Sequence, residues 1–118
     1  MESVKTEKTF LDASSILAID DLGSEEVWIE KWSTHVKVRG MTAGERTEYS
    51  LLMGDGGIPK DAQARMVQMC AMNETGHHLF LPEHVKQLSQ KSADALEPLT
   101  GAIMRLSGMG NQEDAEKN

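Results

Sequence analysis

Aromatic residues are scarce in this chain, 4% of the whole, while eight methionines stand among a hydrophobic fraction of 39%. The core must therefore be built from Leu, Val, Ile, Ala and Met, and the unbranched thioether makes such a core adaptable. Cysteine occurs once, at Cys70, which excludes an internal disulfide and suits a reducing cytoplasm. Basic residues fall short of acidic ones, 12 against 19, and the formal charge of -7 repels phosphate backbones and anionic lipid heads. Nucleic acid and membrane are not expected partners. No leading run has the form of a signal peptide, and no apolar run has the length needed to span a bilayer. At 118 residues the expectation is a single domain with one core and little room for a deep cleft.

What is present changes period along the chain. Residues 1–10 are polar and lysine-bearing and are expected to form a flexible amino terminus. Leu11, Ile16, Leu17 and Ile19 then cluster in LDASSILAID, which predicts a short helix or turn docked on the later part of the chain. From Glu25 the spacing becomes that of strands: Val27 and Ile29 share one face against Trp28 and Glu30, and Val36 and Val38 alternate with His35, Lys37 and Arg39. A hairpin is expected, turning near Lys31 to Thr34 and ending at Gly40, with Glu opposite Lys or Arg on the outer face.

Helices follow. Thr42 and Glu45 have the spacing of a capping box, and a helix is predicted from there to about Met53. Gly54 to Pro59 holds three glycines and a proline in six residues, which no helix survives, so a loop is expected. Asp61 is placed to cap a helix whose Ala62, Met66, Val67, Met69 and Cys70 form an apolar stripe, closed by a turn at Asn73 to Gly76. Pro82 suits a helix start, and that short helix should end near Ser89. Ser92 should cap a last helix bearing Ala95, Leu96, Leu99, Ile103 and Leu106, with a kink or late start at Pro98. Residues 110–118 are expected to be a polar, disordered tail. The fold class predicted is α+β and mainly helical, a hairpin packed against about four helices in one domain over residues 11–109.

Few side chains here could carry catalysis. His77, His78 and His84 lie close in sequence with Cys70 upstream, yet they lack the paired ligands at short intervals that a structural zinc site presents. Cys70 falls on the stripe assigned to the core, where a thiol is a poor nucleophile. The carboxylates, including Asp20, Asp21, Glu25 and Glu26, sit in polar sequence that would not raise a pKa for acid-base work. GDGGIPK lacks the preceding strand and the trailing Ser or Thr of a phosphate loop. Lys37 and Arg39 beside Trp28 and Trp32 are too few for base stacking in an anionic chain, so cross-strand packing is expected of the rings. No cofactor, no metal and no enzymatic activity are expected. The remaining feature is an adaptable apolar surface: Met66, Met69, Met72 and Met104 with the stripe Leu96, Leu99, Ile103 and Leu106. Methionine is over-used where a surface fits more than one partner. Met66, Met69, Leu96, Leu99, Ile103 and Leu106 are therefore the expected protein-binding residues, apart from their use in a core.

The order of these segments resembles the small tail assembly chaperones of long-tailed, siphovirus-like bacteriophages and prophages, from about Glu25 to Met109. The features carrying the resemblance are Val36, Val38, Arg39 and Gly40 at the end of the strand pair, then Thr42, Glu45 and Arg46 at a helix start. They continue with Glu74, Gly76, Leu79 and Phe80 at a turn, Lys91, Ser92 and Ala93 entering the last helix, and Leu106, Ser107 and Gly108 leaving it. The glycine-rich loop and the pair His77 and His78 depart from that pattern. The resemblance implies a protein that escorts the tape measure protein, and tail tube subunits, during tail morphogenesis in the host bacterial cytoplasm, and is absent from the mature virion. It further implies a frameshift-extended form of the same chain as a partner, and self-association into a homo-oligomer is a further expectation. Two other readings stand beside it: a head-tail connector or tail terminator built into the virion, and a small metal-dependent or thiol hydrolase using Cys70 and the histidines.

Overall fold

The computed structural model describes residues 8–54 and 56–109. The tail expected at 110–118 lies outside them, and so does most of the amino-terminal segment expected at 1–10. Along the described chain run α1 (Ala13–Leu17), β1 (Ser24–Ile29), β2 (Thr34–Arg39), α2 (Ala43–Met53), α3 (Ala62–Cys70), β3 (Ala71–Met72), α4 (Val85–Leu88) and α5 (Ala93–Leu106). Single 3-10 turns at Glu30–Trp32 and Pro82–His84 join β1 to β2 and lead into α4. The architecture is α+β, an amino-terminal hairpin followed by helices, as the changes of period predict.

β1 and β2 pair antiparallel with Val27 opposite Val36 and Trp28 opposite His35. Alternation does the rest: Ile29, Val36 and Val38 are buried, with Val27 packed against them. On the outer face Glu26 stands opposite Lys37, and the Trp28 and His35 rings meet edge to face, 5.0 Å between centroids. The hairpin turn is a 3-10 turn closed by Ser33, whose N–H donates to the Glu30 carbonyl at 3.2 Å. At the other end of β2, Gly40 is needed sterically, because a Cβ there would lie 2.7 Å from the Leu106 carbonyl oxygen. That close approach seats the end of the hairpin on the last turn of α5.

The helix starts follow local chemistry. Thr42 Oγ1 accepts the Glu45 N–H at 3.1 Å and Glu45 Oε1 accepts the Thr42 N–H at 3.0 Å, so the capping box forms as predicted. Ser92 Oγ accepts the Asp94 N–H at 3.1 Å at the start of α5, which runs unbroken through Pro98. The proline is tolerated because it lies on the exposed side of the helix, where the carbonyl it leaves without a donor can be hydrated. Asp61 departs from expectation. It occupies the N-cap position of α3 without a side-chain cap bond, and its carboxylate instead takes Arg65 Nε at 3.0 Å.

Two further departures concern strands and docking. The chain leaves the helical conformation after Cys70, and Ala71 and Met72 form a third strand on β2, opposite Val38 and Lys37. A two-residue strand has no period to detect, so the sequence gives no sign of it. The core forms where this sheet meets α3 and α5: Ile29, Val36 and Val38 against Met66, Val67, Cys70, Leu96, Leu99 and Ile103. By contrast α1, expected to dock, buries none of its residues.

Candidate protein-binding surface

Of the residues expected to bind a partner, Met66, Leu96, Leu99 and Ile103 are interior, the last two with no exposed surface. They occupy core positions in this fold, where the stripe that looks adaptable in sequence packs against the sheet. Met69 and Leu106 lie half-buried beside them. Leu106 packs on the hairpin, its Cδ2 lying 3.1 Å from where a Gly23 Cβ would be. Met72 and Met104 are also half-buried.

Greasy surface lies elsewhere. Phe10, Leu11, Ile16, Leu17 and Ile19 are all exposed, Phe10 at 86% and Leu17 at 83%. Ile16 and Leu17 lie on α1, a helix of five residues held by one cap: Asp12 Oδ1 accepts the Ser15 N–H at 2.9 Å. Hydrogen bonds from Ser15 hold the Asp12 carboxyl below its ordinary pKa. So short a helix is marginal by itself. Fully covering a side chain of this size contributes about 1.5–3 kcal/mol, so this arm of five exposed apolar residues would gain by being covered. Its signal in the sequence is the cluster in LDASSILAID; nothing local says whether that cluster is covered.

A second feature is a groove of about 630 Å³ of mixed character, lined by Leu79, Phe80 and Leu88 and by the polar His84, Gln87, Gln90 and Lys91. It continues into a smaller hollow of about 200 Å³ formed by Trp32, Phe80, Leu88 and Lys91. The Phe80 and His84 rings meet edge to face, 6.3 Å apart, and shape its wall. No carboxylate lines either part.

Arg39 and the three clustered histidines have local partners. Arg39 forms a two-pronged pair with Glu45, Nη1 to Oε1 at 2.8 Å and Nη2 to Oε2 at 2.9 Å, and also donates to the Met69 carbonyl at 3.0 Å. This joins β2, α2 and α3. The Arg39 hydrogen bond holds the Glu45 carboxyl below its ordinary pKa of 4.5, and the same bond raises Arg39. Cys70 is fully buried beside them, and burial pushes its thiol up to about 12. A thiol so protonated is a weak nucleophile at neutral pH. His77 Nδ1 bonds Thr75 Oγ1 at 2.9 Å, His78 Nδ1 bonds the Gln68 carbonyl at 3.2 Å, and His84 Nδ1 accepts the Leu81 N–H at 2.9 Å. Among the described residues no three His, Cys, Asp or Glu side chains converge in a way that could hold a metal ion. No described helix is long and apolar enough to cross a membrane. Comparison with known protein families, curated proteins and solved structures finds no match to this chain.

Proposed function

We propose that the chain is a non-enzymatic assembly chaperone of the long-tailed phage type, holding the tape measure protein, and tail tube subunits, in the host cytoplasm while a tail is built. The observation that supports this reading is the uncovered arm at Phe10 to Ile19, five large apolar side chains presented to solvent on a folded domain. An elongated helical client exposes apolar stripes that aggregate in water, and an amphipathic arm can lie along them by helix-in-groove contact. The negative surplus of the chain keeps such a complex in solution through like-charge repulsion. A frameshift-extended copy of the chain would carry the same arm and bring a second contact to the same client.

The test is co-expression with the tape measure protein encoded nearby. The wild-type chain should keep it soluble and co-purify with it. Leu17→Asp should lose most of the captured client while its circular dichroism spectrum stays that of the wild type. A tape measure protein that stays insoluble beside the wild-type chain would overturn the proposal, and so would abundant copies of the chain in purified virions, which would favour a connector or terminator.

A further inference from the structure

We infer that, when no client is present, the arm of one copy lies in the Phe80–Leu88 groove of a second copy, giving a symmetric arm-exchanged dimer that stores the adhesive segment. This rests on the proposed role of the arm as a client-holding element. Shape and chemistry favour the match. The groove offers the rings of Phe80 and Trp32 and the side chains of Leu79 and Leu88, and the arm offers Ile16 and Leu17 on one short helix.

Charge agrees as well. The arm carries Asp12, Asp20 and Asp21 and no basic residue between Phe10 and Asp21, whereas the groove is edged by Lys91, lining both of its parts, with no carboxylate among the lining side chains. Opposite charges at the rim guide encounter and set register.

Reach decides which copy supplies the arm. Gly23, where the arm joins the domain, lies against Leu106 at the end of α5, while the groove lies at the start of that helix, beside Lys91. The 14 residues of α5 separate these points by about 21 Å. From Gly23 to Ile19 the chain can extend only about 14 Å. Leu17 reaches its own groove only at full extension of residues 18–22, about 21 Å, which breaks the bonds from the Ala18 and Ile19 N–H groups to the Ser14 and Ile16 carbonyls, so docking within one copy is disfavoured. A second copy related by a two-fold axis meets neither restriction, and the same contact is then made twice.

The experiment needs only the purified full chain, measured by sedimentation over a range of concentrations. Wild type should be a monomer-dimer equilibrium. Leu17→Asp and Lys91→Glu, both changes at exposed positions, should each raise the dimer Kd by about tenfold or more. Adding Asp20→Lys to Lys91→Glu should restore part of the affinity. A wild type that stays monomeric throughout, or a dimer indifferent to Leu17→Asp or to Lys91→Glu, would overturn the proposal. No client enters this measurement, so its failure leaves the client-holding reading standing and testable by co-expression.

Discussion

Two stretches of this chain have similar apolar content and opposite fates. In α5, Leu96, Leu99 and Ile103 recur at helical spacing and vanish into the core; in the arm, Ile16, Leu17 and Ile19 recur almost as closely and stay in water. The difference is in what lies opposite. α5 runs along the inner face of a three-stranded sheet that supplies Ile29, Val36 and Val38, and its ends are fixed by the Ser92 cap and by the seat at Gly40. The arm has only the Asp12 cap. One stripe is claimed by the fold, and the other is left uncovered.

The sharpest way to break this contrast is to remove a core side chain. Leu99→Ala should destabilise the domain by about 2–5 kcal/mol, through lost transfer energy and the cavity left behind, read as a lower melting temperature by circular dichroism. An acidic residue at Leu99 or Ile103 should unfold it outright, so client capture by such variants reports on folding and not on an interface. Gly40→Ala comes next, because the added methyl must push on the Leu106 backbone. A loss of roughly 1–3 kcal/mol is expected in denaturant unfolding.

The Arg39–Glu45 pair should show itself through pH. The folded Glu45 carboxyl titrates below 4.5, its ordinary value, so the unfolded chain binds the proton first. Stability from this pair is therefore present above about that pH and falls as pH drops through the folded pKa. In Glu45→Gln the acid limb of the stability curve should flatten below pH 4.5, with a loss at neutral pH of roughly 1–3 kcal/mol for the charged hydrogen bonds. An unchanged acid limb would remove the pair from the joint between sheet and helices. The smallest effect belongs to the arm: Leu17→Asp should shift global stability by less than about 0.5 kcal/mol while abolishing most client capture. A drop as large as that of a core variant would mean the arm is packed after all.

How much of this is legible in the sequence depends on the range of each interaction. The capping box at Thr42 and Glu45 involves groups three residues apart, and the hairpin declares itself by alternation, so both can be foreseen. The seating of Gly40 on Leu106, the Arg39 bond to the Met69 carbonyl, and β3 on β2 join residues about thirty or more apart in sequence. No local pattern encodes them. The candidate site is displaced for the same reason: methionines and leucines at helical spacing announce a sticky face without saying what meets it. The arm's apolar residues are just as plain in the sequence, and the docking expected of them does not form.

By itself the sequence determined where the chain turns, where helices begin, which residues alternate on the hairpin, and that the chain carries a net negative charge. Only the tertiary structure decided which apolar faces meet. The hydrophobic effect is non-directional and scales with area covered, so a stripe specifies that it gains by being covered and leaves the choice of cover to the three-dimensional arrangement of everything else.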